Sequence, residues 1–148
     1  MSASSLLGKT AAQLRQEGIR LGEYGVRGGL RDRLVQLIVS GEKTATASLA
    51  AEYLAEGSPE PRVGDVEAIL DERDIAVAVT RNVRVDRVRL DDVTWDFAQA
   101  EGEGFVSLAD WRTQHEHFWR THVVPALPGF TLDGDAIVIC VWLEVLAR

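Results

Sequence analysis

A lysine and four hydroxyl residues separated by small residues, SGEKTATAS (40–48), close a strongly apolar run. A surface turn has no need of the alanines, and a core strand would carry larger side chains. The pattern reads as the floor of a polar pocket, suited to a nucleoside or to RNA. These residue types could do hydrolytic chemistry. A threonine hydroxyl is a poor nucleophile unless an adjacent base activates it, and a lysine is a base only where desolvation lowers its pKa toward neutrality. If 43–48 is extended, Lys43, Ala45 and Ala47 point one way and Thr44, Thr46 and Ser48 the other. A bulge or turn after Gly41 would be needed to bring Lys43 and Thr46 to one site. The competing reading of Lys43 is a solvated cation completing a helix C-terminus.

Other reactive residue types give weaker signals. The segment HEHFWRTH holds His115, His117 and His122. On a helix His115 and His122 share a face while His117 points elsewhere, so the i, i+4 geometry of a helical zinc site is missing. A structural metal site is not expected; a loosely held divalent metal serving a phosphodiester reaction stays open. Asp133 and Asp135 in LDGD read as a turn. Cys140, the single cysteine, lies in AIVICVW and reads as a buried small hydrophobe, with no disulfide to form. Arg81 falls in period two with Ile75, Val77, Val79, Val83 and Val85. It either meets a carboxylate or a ligand phosphate at a barrel mouth, or a bulge at 81–82 turns it to solvent. Tyr53 and Trp111 follow the polar segments and could stack on a base, worth about 1–3 kcal/mol per base; each of the tryptophans also reads simply as core, as do Phe97 and Phe118.

Elements that could position these groups follow from periodicity. Residues 9–17 suit a short helix, and GEYGVRGG (22–29) a connector. Leu30, Leu34, Leu37 and Ile38 mark an amphipathic helix over 30–40, capped by Gly41. TATASLA alternates like a strand, and one or two helical turns follow it. EPRVGD (60–65) is a turn, and three strands are expected at 66–71, 75–81 and 83–89, with DERD as a hairpin connection. Residues 90–104 look helical until their glycines. Ser107 with Asp110 opens a helix over 108–123, which Pro125 and Pro128 end. The final strand is 136–146. The fold class expected is α+β, a small mixed β-barrel packed by several helices.

The chain has 148 residues and a net charge of −7, which argues against broad nucleic-acid binding. The charge is uneven: residues 1–43 balance to +3 and the remainder to −10. RNVRVDRVR (81–89) is a second basic island, with Arg81, Arg84, Arg87 and Arg89. The two basic segments either focus an anion into one cleft or are solvated faces of a helix and a strand. No apolar run suits a membrane span, and the N-terminus lacks the features of a signal peptide, so a cytoplasmic protein without a membrane partner is expected.

LIVSGEKTATAS, PRVGD and FAQAEGEGFVSLADWRTQHEHFW, in this order and at these separations, resemble the ASCH domain family of small PUA-like β-barrel proteins. The resemblance runs from about residue 30 to the C-terminus, leaving 1–29 as an N-terminal extension. It implies an RNA- or nucleoside-binding cleft beside the barrel. Some bacterial members are acetylcytidine amidohydrolases and at least one is a single-strand ribonuclease. In the former, a lysine, a threonine and a glutamate are implicated in catalysis; carried over, these are Lys43, Thr46 and Glu103, with Glu101 the rival glutamate. Those members have an arginine where this chain has Ser48, and the longer GxKTATAS and AEGEG forms look closer to the ribonuclease branch. The function expected first is therefore a ribonuclease on single-stranded RNA, with an amidohydrolase of N4-acylated cytidine or a non-catalytic RNA-binding module as the alternatives. Lys43, Thr46 and Glu103 are the expected catalytic residues. Ser48, Tyr53, Arg81, Glu101 and Trp111 are the expected ligand-binding residues. The expected partner is single-stranded RNA or a modified nucleoside, and the oligomeric state is left open.

Overall fold

The computed structural model describes residues 2–148. Its five strands are β1 (Arg20–Gly22), β2 (Ala45–Leu49), β3 (Val66–Leu70), β4 (Ala76–Arg89) and β5 (Ile137–Ala147), and its helices are α1 (Ala11–Gln16), α2 (Gly29–Ser40), α3 (Ala50–Glu56), α4 (Trp95–Ala100) and α5 (Leu108–His122). They form one sheet in the order β1-β3-β4-β5-β2. β1 runs parallel to β3, and every other neighbouring pair is antiparallel. The sheet curls into a half-barrel with helices packed against it, the α+β class expected.

Long β4 and β5 are the spine, and their pairing explains the main departure from the sequence reading. Residues 75–81 and 83–89 are not two strands. They form the single strand β4, whose register against β5 shifts between Val79 and Thr80 and again between Asn82 and Arg84. Such bulges bend a strand and increase its twist without ending it. The helix expected from residue 90 begins later: residues 90–92 make one 3-10 turn, and the Thr94 hydroxyl caps α4 by accepting from Phe97 N (3.2 Å).

Three apolar clusters cover the sheet. Leu6, Ala11 and Leu14 pack on Ala68, Leu70, Ala76 and Val79. On the other face, Leu34, Val35 and Ile38 of α2 cover Ile69, Ala78 and Leu143, so the amphipathic helix lies against the final strand as its spacing requires. The third cluster joins Phe97, Trp111 and Trp119 of α4 and α5 to Ala45, Leu49, Val138 and Cys140. Burial pushes the Cys140 thiol up to about 12, so it stays an inert thiol. The N-terminal segment is part of this architecture, because β1 adds the edge strand beside β3. Among the described residues, no helix is long and apolar enough to cross a membrane.

Candidate functional site

Gly41 ends α2 at φ 85°, and the reversal carries Lys43 N onto the Leu37 carbonyl (2.9 Å). Thr44 then donates through both its amide (2.9 Å) and its hydroxyl (3.0 Å) to the Ala100 carbonyl at the end of α4. These bonds set the start of β2 against the AEGEG loop. Gly102 permits the approach: its φ is 64°, and a Cβ there would stand 1.9 Å from the Glu42 carbonyl oxygen.

Two glutamates flank that glycine, and both reach Lys43. The Lys43 side chain is only 1% exposed. Its Nζ donates to Glu103 Oε2 (2.7 Å), Glu101 Oε2 (3.1 Å) and the Ala45 carbonyl (2.8 Å). All three ammonium donors are thereby used, as a buried charge demands. The two glutamates are therefore partners in one site. Glu101 is enclosed, and its Oε1 accepts from Trp111 Nε1 (2.6 Å) and faces His115 Nε2 at 3.1 Å. Burial alone would raise its pKa, but Lys43, His115 and Trp111 outweigh burial and hold the carboxyl well below the usual range. Glu103 is shifted the other way, raised by burial and by the Glu101 charge against the opposing pull of Lys43. One lysine is shared by two carboxylates, whose environments shift them in opposite directions.

Lys43, Glu101 and Glu103 line a cavity of about 1260 Å³. Thr46 and Ser48 face it from β2, and the Ser48 hydroxyl lies 2.7 Å from the Tyr53 hydroxyl. Ala45 is buried in the aromatic core, and Ala47, half-buried, packs against that core and also borders the cavity. Lys43 precedes the strand, so strand alternation does not separate it from Thr46: both line the cavity.

Two expected ligand residues are placed elsewhere. Trp111 is fully buried, and it orients Glu101 through its indole N–H instead of offering a face to a base. Arg81 lies outside the cavity, exposed and paired with Glu144 on β5. Arg81 lies between the two register shifts of β4, at Val79/Thr80 and Asn82/Arg84, and its side chain is turned to solvent, the alternative that the sequence left open. The rest of the second basic island is likewise paired: Arg84 with Asp86 (2.8 Å), Arg87 with Glu60 (2.8 Å) and Arg89 with Asp135 (2.5 Å). None of the four lines the cavity, so the island does not focus charge there.

Sequence reasoning missed Glu67, Asn82 and Tyr24 on the cavity wall, and took His115 only as a rejected metal ligand. His115 lies one helical turn beyond Trp111 and stacks on it at 4.2 Å, with its Nδ1 3.0 Å from the Trp111 carbonyl. Its i, i+4 spacing from that tryptophan was the available signal. Among the described residues, no three metal-ligating side chains converge.

The ASCH domain family model matches residues 22–147. The chain belongs to the ASCH domain family. Its ASCH domain is similar to the crystal structure of a protein from Enterococcus faecalis V583, at 28% identity and TM-score 0.78 over 92% of this chain and 84% of that one. It shares its fold with an ASCH domain from Lactobacillus crispatus JV V101, at 24% identity and TM-score 0.78 over 88% and 80% of the two chains. No curated protein matches it.

Proposed function

We propose that this ASCH domain binds a nucleoside in the cavity and hydrolyses an acyl group from its base, an N4-acylated cytidine being the fitting substrate. The observation that carries this reading is the buried Lys43 between Glu101 and Glu103, on the same cavity wall as Thr46. The arginines of 81–89 pair with carboxylates away from the cavity, so the cations on its wall are Lys43, held by two glutamates, and Arg15, Arg20 and Arg33. The Lys43 site itself offers no free cation to a phosphate, and a neutral base requires none.

Glu103 is the proton carrier. Its raised pKa brings it toward the working pH, where a carboxylate is a more effective base. It takes a proton from a water that attacks the acyl carbon. A C–O bond forms, and negative charge develops on the acyl oxygen. Lys43 stays held by Glu101 and Ala45, and the N–H it gives Glu103 at rest turns to that oxygen as Glu103 takes the proton. The Thr46 hydroxyl, which no side chain among the described residues engages, donates to the same oxygen. The C–N bond then breaks, and Glu103 returns its proton to the exocyclic amine, leaving cytidine and the free acid.

The test is chromatography of N4-acetylcytidine incubated with purified protein, alongside labelled single-stranded RNA, each with and without divalent metal. Release of cytidine by the wild type and its loss in Lys43→Ala and Glu103→Gln are expected. Shortening of the RNA with N4-acetylcytidine untouched would transfer the site to the ribonuclease reading. Binding of both without turnover would reduce it to a binding module.

A further inference from the structure

The same cavity is lined by polar groups that the hydrolytic step does not use, on strands β3 and β4. Glu67 of β3 lines it with a side chain only 22% exposed. The nearest cation, Arg20 Nε, stands 3.6 Å away, beyond hydrogen-bond distance, while the Arg20 guanidinium donates to Asp65 (2.8 Å). Among the described residues, Glu67 has no hydrogen-bond donor. Asn82 of β4 lines the same cavity at 5% exposure. Its Nδ2 donates to the Arg62 carbonyl (3.2 Å), which leaves Oδ1 as an acceptor without a partner. Glu67 thus keeps only a long ion pair with Arg20, and both it and Asn82 Oδ1 offer acceptors that no protein donor engages to the cavity they line. Two such acceptors in one cavity fit a ligand that supplies the donors.

These groups share one cavity with the hydrolytic site. Tyr24, Glu67 and Glu101 all line it, and burial raises the Tyr24 phenol. Three strand spacings separate β3 from β2, roughly 14 Å along the sheet and less across its concave side. Phe105 and Phe118 line the same cavity, Phe105 against the His115 ring that faces Glu101, and they are the apolar faces open to a base whose acyl group is held at Lys43. The sugar then extends toward Glu67.

We propose that Glu67 and Asn82 form a ribose subsite, in which both side chains accept hydrogen bonds from the vicinal 2′- and 3′-hydroxyls of the nucleoside. The donor–acceptor chemistry matches: a diol offers two O–H donors, and an acidic side chain reading ribose hydroxyls is a recurrent solution in nucleotide sites. The subsite makes the domain selective for ribonucleosides over deoxyribonucleosides. It rests on the nucleoside reading given above.

The experiment is a calorimetric titration of wild type, Glu67→Ala and Asn82→Ala with cytidine, 2′-deoxycytidine and 1-methylcytosine, with a thermal melt to show that each variant is folded. The wild type is expected to bind cytidine at least about tenfold more tightly than 2′-deoxycytidine, the scale of one hydrogen bond to a charged group. Glu67→Ala should remove that preference and leave 1-methylcytosine binding unchanged, and Asn82→Ala should reduce the preference. Equal wild-type affinity for cytidine and 2′-deoxycytidine would overturn the ribose subsite while keeping the nucleoside reading. So would a loss of 1-methylcytosine binding in Glu67→Ala, which would assign Glu67 to the base. No binding of any of the three would overturn both.

Discussion

The Cα of Gly102 lies against the Glu42 carbonyl so closely that any side chain would come within 1.9 Å of that oxygen. The contact holds the AEGEG loop against the residues leading into β2, and it is what lets Glu101 and Glu103 flank one lysine. Gly102→Ala should therefore destabilise the fold by at least about 2 kcal/mol, since it adds a backbone clash to a positive φ. Urea denaturation would measure it. A neutral effect would mean that the loop closes on Lys43 by some other route.

Lys43→Ala should cost about 3 kcal/mol or more, because it strands the buried Glu101 charge. The pair Lys43→Ala with Glu101→Gln should recover part of that loss, as the carboxylate no longer needs a cation. A double-mutant cycle by denaturation separates the outcomes. Strict additivity would show that the 3.1 Å contact carries no coupling.

Thr46→Val keeps the shape of a half-buried strand residue and removes only a hydroxyl that faces the cavity. Stability should change by less than about 1 kcal/mol. Turnover of N4-acetylcytidine should fall by about 100-fold or more with little change in KM, the signature of a donor used in the transition state. An unchanged kcat would remove Thr46 from the chemistry.

Glu67 gives a pH-dependent stability term. Burial pushes its carboxyl up to about 7 despite Arg20 nearby. The folded state holds that proton more tightly than the unfolded chain, so the term is fully present below about pH 4.5 and is lost as pH rises through 7. Its size is on the order of 3 kcal/mol. Glu67→Gln should flatten the fall in stability between pH 5 and 8 by about that amount, leaving the part owed to Glu103, which is shifted in the same direction. Denaturation midpoints across this range test it. A slope identical to wild type would place Glu67 in solvent.

Periodicity in the sequence determined which faces are apolar. Leu34 and Ile38 put α2 on the sheet, Gly41 ended it, the Ser107 hydroxyl accepting from Asp110 N (3.0 Å) opened α5, and the alternation of β2 set Thr46 and Ser48 on the cavity and Ala45 in the core. These are local matters of spacing and capping, legible without a partner. The motif residues carried the family and named Lys43, Thr46 and both glutamates. Only the tertiary structure decided what each charge meets. Lys43 finds its carboxylates 58 and 60 residues away, while Arg81 finds Glu144 across β4 and β5 and is lost to the site. The curl of the sheet brings Glu67 and Asn82 onto the cavity wall, although neither stands in a recognisable motif. A side chain's polarity is written at its own position, but its desolvation and its partner are properties of the groups that folding brings beside it.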